Sequence, residues 1–108
     1  MVNNSVLNSV KKYLSALQEN GITIKFGVIF GSQATGKSDT WSDIDLLVVS
    51  PIFDNQQRRD DINLLWRTAA RIDNRIEPIP CGERQWVDDD ASAMLEIARL
   101  EGELVALT

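Results

Sequence analysis

The loop at 31–42, GSQATGKSDTWS, limits the possible folds more than any other segment, because it joins two strand-like segments directly. Its Gly, Ser and Thr content is typical of a loop. The segment after it, 43–49, is a short apolar run bounded by turn residues. In the segment before it, 22–30, large apolar residues recur at every second position, as in a strand. The residues on this one face are Ile22, Ile24, Phe26, Val28 and Phe30. We therefore predict two strands that follow each other directly along the chain.

Helical periodicity predicts a helix before and a helix after this pair of strands. The first covers 3–19 and ends at Asn20-Gly21. Its apolar stripe consists of Val6, Leu7, Val10, Leu14 and Leu17. The second covers 56–73, with Asp54 or Asn55 as its N-cap. Its inner stripe consists of Ile62, Leu65, Ala69 and Ile72.

The C-terminal third adds two short strands and a third helix. The strand at 75–79 contains Pro78, which cannot donate to a sheet ladder, so this strand should be short, near an edge or ending there. The acidic run at 88–90 suits the positive N-terminal end of a helix that stops at Gly102. Its inner stripe consists of Ala91, Met94, Leu95 and Ala98. With a last strand at 104–107, the predicted class is α/β (α+β), with helices packed on a small mixed sheet.

Two absences exclude several kinds of site. The 108 residues include no histidine and one cysteine, Cys81, which excludes Ser-His-Asp and Cys-His catalysis, histidine-bound metals, zinc–thiolate cages and internal disulfides. The length indicates a single domain, 1–108, and the low cysteine content fits a cytoplasmic protein. We predict neither a membrane helix, which needs ~20 apolar residues, nor a signal peptide. The net charge of −5 disfavours direct nucleic-acid binding and leaves carboxylates as the available catalytic groups.

The loop fits a first nucleotide-binding pattern, that of a P-loop. Residues 31–38, GSQATGKS, satisfy G-x-x-x-x-G-K-[ST] and follow a predicted strand. A P-loop must also open a helix whose amides face the phosphates, and only residues 39–42 separate Ser38 from the next strand. The context therefore disfavours a P-loop, in which case Lys37 is a solvated loop lysine.

A second pattern combines Gly31-Ser32 with Asp43 and Asp45. Side chains two residues apart on a strand point the same way, so the two carboxylates would repel each other unless a cation lay between them. Mg²⁺ takes one or two carboxylates and completes its shell with water and phosphate. The small Gly31-Ser32 pair lets backbone N–H groups approach a triphosphate closely, and the Ser32 hydroxyl adds a donor.

The segment GSQATGKSDTWSDIDLLVVS resembles the signature of the minimal nucleotidyltransferase (MNT) family, the small stand-alone members of the DNA polymerase β-like superfamily. The family pattern is Gly-Ser, a loop of this length and then Asp-x-Asp, and here ten residues separate the two parts. The segment RIEPIPCGERQW resembles the family's third-acid strand, with Glu77 at the acidic position, and EIARLEGELV is similar to its last helix and strand. The resemblance spans most of 22–107.

The resemblance implies the polymerase β-like palm fold and transfer of a nucleoside monophosphate, AMP from ATP, to an acceptor hydroxyl. The catalytic carboxylates, holding two Mg²⁺ ions, would then be Asp43, Asp45 and Glu77, with Asp73 as the alternative third acid. The nucleotide-binding residues would be Gly31, Ser32, Lys37 and Ser42. The family often has Arg where this chain has Thr35, which leaves the phosphates to Lys37, the metal and the backbone.

Larger members of the superfamily bind their acceptors with extra domains, and none is expected in these 108 residues. The resemblance implies that a helical HEPN-type toxin supplies the acceptor and that the chain is the antitoxin of a HEPN/MNT pair, adding AMP to a toxin tyrosine. The acidic charge agrees better with a protein partner than with nucleic acid. A second class of function stays open, that of a non-catalytic nucleotide-binding antitoxin or regulatory module that acts by protein binding.

Overall fold

The structure is a computed structural model that describes residues 2–35 and 42–107. The elements in these ranges are, in chain order, α1 (Asn4–Glu19), β1 (Phe26–Phe30), the one-turn α2 (Ser32–Thr35), β2 (Ile44–Val49), a 3₁₀ turn (Pro51–Phe53), α3 (Arg59–Ile72), β3 (Ile76–Cys81), α4 (Glu83–Asp88), α5 (Ala93–Glu101) and β4 (Glu103–Val105). None of the helices described is long and apolar enough to cross a membrane.

The strands form one mixed sheet in the order β3-β2-β1-β4. Strand β1 runs antiparallel to both of its neighbours, β2 and β4. Strand β3 runs parallel to β2, after the crossover through α3. The predicted class, helices on a small mixed sheet, is confirmed.

Each face of the sheet has its own apolar cluster. On one face α1 and α3 cover Ile29, Ile44, Leu46, Val48 and Ile76. On the other face, Leu95 and Ala98 of α5 pack against five strand residues, which are Val28, Phe30, Leu47, Val49 and Cys81. Because strand side chains alternate, Asp45 and Glu77 belong to the face that α5 covers.

Helix α1 agrees closely with its prediction. Asn3 caps it, since its Oδ1 accepts a hydrogen bond from the Ser5 N–H at 2.7 Å. The predicted stripe is buried except for the half-buried Leu7, and Tyr13 joins it, donating its hydroxyl hydrogen bond to the Leu65 carbonyl at 2.9 Å. This bond ties α1 to α3 across a fully buried contact.

The predicted strand at 22–30 is too long at its N-terminal end. Strand β1 begins at Phe26, because the Ile22 N–H instead closes the end of α1 by donating to the Leu17 carbonyl. Ile22 and Ile24 are therefore buried in the α1 cluster, whereas Phe26 contacts the α5 cluster. The prediction that all five alternating residues share one face is wrong for the first two.

The predicted cap of the second helix is also wrong. Helix α3 begins at Arg59, and Asp54 instead accepts hydrogen bonds from the Arg84 and Gln85 N–H groups at 3.0–3.2 Å. Asp54 thus caps α4, a helix that the periodicity did not predict. A cap that lies 30 residues away in sequence leaves no local signal.

The acidic run at 88–90 lies between α4 and α5 rather than in the first turn of a helix. Asp89 accepts hydrogen bonds from the Ala91 and Ser92 N–H groups, and Ser92 caps α5. Leu95 and Ala98 are buried as predicted, whereas Ala91 and Met94 are exposed. The predicted inner stripe is therefore right for only two of its members.

Strand β3 is an edge strand, as Pro78 indicated. It extends to Cys81, and its Cys81 carbonyl accepts from the Ser50 N–H beside β2. The Ile76 N–H points the other way and donates to Asp73. By alternation, Pro78 and Pro80 stand where an N–H would face away from β2. The last strand is Glu103–Val105, slightly earlier than the predicted 104–107.

Candidate active site

Three acidic residues meet at one end of the sheet, where β1 ends and β2 and β3 begin. Asp43 immediately precedes β2, and Asp45 is its second residue. Glu77 is the second residue of β3 and lies directly opposite Asp45 in the parallel register. The Glu77 carboxyl is within hydrogen-bonding reach of both Asp45 and Asp43. The structure therefore brings together the three acids that the sequence pattern singled out.

Burial and nearby negative charge oppose the ionisation of Asp45 and Glu77. Partial burial raises the pKa of Asp45, a hydrogen bond with Glu77 lowers it, and the charge of Asp43 raises it. Burial likewise raises the pKa of Glu77, and the charges of Asp43 and Asp45 add to the increase. A bound cation would relieve this repulsion, because it stabilises the ionised forms.

Gly31 lies against this cluster and needs to be glycine for two reasons. Its φ of +74° lies in the left-handed region that other residues rarely adopt. A Cβ atom placed on Gly31 would lie only 2.5 Å from Oδ2 of Asp45. The strand end and the Asp45 carboxylate can therefore approach this closely only because residue 31 has no side chain.

Ser32 begins the one-turn helix α2 directly after Gly31 and is half-buried. Ser42, at the other end of the loop, is half-buried, and its carbonyl accepts a hydrogen bond from Gln33 Nε2 at 3.1 Å. The two serines thus stand near the two ends of the loop that leads to Asp43. Lys37 lies outside the described residues.

Gln33 is a residue that the sequence pattern did not single out. Its side chain is only 3% exposed, and its amide joins α2 to the residue that precedes Asp43. This contact closes the base of the loop and fixes the backbone from which Asp43 projects. A glutamine in a polar loop carries no periodic signal, so sequence reasoning had no means of finding it.

Asp73, the alternative third acid, occupies a different position. It forms the C-cap of α3, and its carboxylate is bound to the Arg75 guanidinium at 2.8 Å and to the Arg75 N–H at 3.0 Å. Its hydrogen bonds with Arg75 hold the pKa of Asp73 below its usual range. The Arg75 carbonyl in turn accepts from the Ile44 N–H at 2.8 Å, so this pair supports the start of both strands.

The donor set of the acidic cluster fits Mg²⁺. All three acids supply hard oxygen donors, and two of them have raised pKa values. The backbone of Gly31 lies close to the Asp45 carboxylate. In the part of the chain that the structure describes, no group of three or more Asp, Glu or Cys side chains is arranged so that it could hold a metal ion. Mg²⁺ does not require one, because it is usually held by one or two carboxylates with water and substrate phosphate.

The sheet also bears on the P-loop interpretation. A P-loop follows a strand of a largely parallel sheet with helical crossovers, but β1 is antiparallel to both of its neighbours. The helical turn after β1 begins at Ser32, before Lys37 rather than after it. These observations agree with the Asp-x-Asp interpretation of the loop.

Comparison with solved structures shows the same fold. A Sulfolobus solfataricus protein assigned to the nucleotidyltransferases matches with a TM-score of 0.65 and 20% identity, over 91% of this chain and 77% of that one. A toxin–antitoxin structure with AMP-PNP gives 0.60 and 19%, over 91% and 73%. The tri-AMPylated Shewanella oneidensis HEPN toxin in complex with MNT antitoxin gives 0.54 and 18%, over 91% and 70%. At these identities the likeness concerns the fold alone.

The family comparison covers most of the chain, including all three acids. No curated protein matches the sequence. The model of the nucleotidyltransferase domain family matches residues 8–89, from α1 to the end of α4. This match includes the loop, Asp43, Asp45 and Glu77, and on this basis the chain belongs to the nucleotidyltransferase domain family.

Proposed function

We propose that this chain transfers AMP from ATP to a hydroxyl group of a partner protein, and that the partner is a HEPN-type toxin. The observation that carries the proposal is the register that sets Glu77 opposite Asp45, with Asp43 in reach and Gly31 against the Asp45 carboxylate. The AMP-PNP complex and the AMPylated HEPN toxin among the solved structures support the choice of nucleotide and partner.

In this proposal Asp43, Asp45 and Glu77 hold two Mg²⁺ ions. When bound, these ions neutralise the triphosphate and lower the pKa of the acceptor hydroxyl. The acceptor oxygen forms a bond to the α-phosphorus, the bond from that phosphorus to the bridging oxygen breaks, pyrophosphate leaves, and the hydroxyl proton passes to water. The chain's own contribution is placement, because bringing the two reactants together in the correct orientation removes much of the barrier.

The remaining residues would orient the nucleotide. Gly31 and Ser32 offer backbone and hydroxyl donors beside the cluster, with Lys37 and Ser42 at later points of the loop. Gln33 acts indirectly, through the backbone before Asp43. Thr35 has no positive charge, so phosphate binding depends on these groups and on the metal.

The test is intact mass spectrometry of a HEPN-type toxin from the same organism, incubated with this protein, ATP and Mg²⁺. We expect the toxin mass to rise by one or more AMP units and pyrophosphate to be released. The double variant Asp43→Asn/Asp45→Asn should leave the toxin unmodified. A toxin that stays unmodified yet is inhibited stoichiometrically, by the double variant as well, would overturn catalysis in favour of a binding-only antitoxin.

A further inference from the structure

Helix α5 and strand β4 present an apolar stripe to solvent. Met94, Ile97 and Leu100 are 38%, 47% and 76% exposed, and their spacing places them along one side of the helix. Leu104 is 55% exposed and pairs in register with Val28, so it projects from the same face of the sheet that α5 covers. We call these four side chains the α5 stripe. Large apolar side chains grouped in this way on the protein surface are typical of an interaction site.

The charge around the α5 stripe is strongly one-sided. Residues 87–107 contain six acidic residues and one basic residue, while the rest of the chain contains ten of each. The one base, Arg99, pairs with one of these acids, Glu96, at 3.8 Å. It also donates to the Trp86 and Gln85 carbonyls and lies over the Trp86 ring. The whole net charge of −5 therefore comes from the segment that carries the stripe.

The stripe lies on the same side of the sheet as the candidate active site. Asp45 lies on the same face of β2 as Leu47 and Val49, whose side chains pack in the cluster containing Leu95 of α5. At the end of α5, Gly102 packs against Val28 and the Ile29 carbonyl, close to the end of β1 where the acids meet. A protein bound along the stripe would therefore lie beside the catalytic end of the sheet.

The acidic charge of the segment that carries the α5 stripe indicates which partner can bind there. Two copies related by a two-fold axis would bring like charges together, since each contributes the same acidic segment. A helix with an apolar ridge flanked by Lys and Arg would instead satisfy both the stripe and its acidic surroundings. We propose that the α5 stripe docks a basic amphipathic helix of the acceptor protein and so presents its hydroxyl to the site. This inference rests on the proposed function for the identity of the acceptor.

Two synthetic peptides of about 18 residues, five helical turns, test the docking without the toxin. One places Lys and the other Glu around the same leucine stripe. We expect the wild-type chain to bind the basic peptide, with an affinity that falls as salt rises, and not to bind the acidic one. The variant Ile97→Gln/Leu100→Gln, which changes no charge, should weaken the binding at least about tenfold.

The matched control is Trp66→Gln, which alters a side chain 49% exposed on α3, on the opposite face of the sheet. It should bind the basic peptide as the wild type does. The proposal is overturned if the stripe variant binds as tightly as wild type, if the acidic peptide binds equally well, or if the wild-type chain self-associates in a way that the stripe variant abolishes and Trp66→Gln does not.

Further measurements separate this inference from the proposed function. The stripe variant should keep Mg²⁺-dependent ATP binding but modify the HEPN-type toxin more slowly. Asp43→Asn/Asp45→Asn should keep peptide binding and lose transfer. Unimpaired toxin modification by the stripe variant would refute the docking surface and leave the catalytic proposal standing. Peptide binding without any toxin modification would refute the catalytic proposal and leave the docking surface standing.

Discussion

Replacing Gly31 with alanine should disable the proposed site at a modest cost to the fold. The φ of +74° at Gly31 costs an L-residue about 1–2 kcal/mol. The added Cβ would lie 2.5 Å from Asp45 Oδ2, a distance at which the atoms repel strongly. The Asp45 carboxylate can relieve this contact by rotating, but the rotation moves it away from the position that it shares with Glu77.

Gly21→Ala is the matched control, because it isolates the cost of placing an L-residue in the left-handed backbone conformation. Gly21 has a φ of +96°, and no atom lies within 4 Å of a Cβ placed there. Both variants should therefore lose roughly 1–3 kcal/mol of unfolding free energy. A loss of 1 kcal/mol lowers the Tm of a domain of this size by about 4–8 °C. Urea denaturation of the metal-free proteins measures this part of the effect.

Calorimetric titration of ATP in the presence of Mg²⁺ measures the functional part. Gly21→Ala should bind as the wild type does, and Gly31→Ala should lose at least about tenfold in affinity, because displacements of about 1 Å at such sites have effects of this order or larger. If Gly31→Ala binds ATP and Mg²⁺ normally while showing the expected loss of stability, Asp45 does not hold the metal in the way proposed.

Other perturbations test the cluster and its supports. The folded-state pKa values of Asp45 and Glu77 lie above their ordinary 3.8 and 4.5, so the metal-free protein should lose stability as pH rises through the raised values. Asp45→Asn should therefore raise the Tm of the metal-free protein at pH 7 and abolish stabilisation by Mg²⁺. An unchanged Tm would contradict the repulsion between the carboxylates. Gln33→Met should cost about 1 kcal/mol and weaken Mg²⁺-dependent ATP binding, and normal binding would show that the loop contact does not position the site. Asp54→Ala should cost about 1 kcal/mol by uncapping α4, with Asn55→Ala near zero in the same denaturation assay, and equal losses would refute the cap.

The sequence was most informative where the signal is local. The stripe of α1 and the edge position of the strand with Pro78, one of the alternatives left open for it, follow from short-range periodicity or from the chemistry of one residue. The class of helices on a small mixed sheet followed from the order of the predicted helices and strands. These features require no knowledge of distant contacts.

Long-range contacts decided what the sequence could not predict. Helix α4 depends on Asp54, 30 residues earlier in the chain, and local pattern wrongly placed that residue at the start of α3. The pairing of Glu77 with Asp45 is set by the parallel register of β3 on β2, which the crossover through α3 establishes. The role of Gln33 depends on a buried contact with the far end of its own loop.

The prolines of β3 determine how an acceptor can approach the site. In many complexes a flexible segment joins its partner by hydrogen-bonding along an open sheet edge. Beside Glu77 that route is blocked, because Pro78 and Pro80 remove two of the donors that an incoming strand would need. Under the proposed function, an acceptor segment is therefore not expected to add as a strand along β3, and a folded helical partner is compatible with this edge.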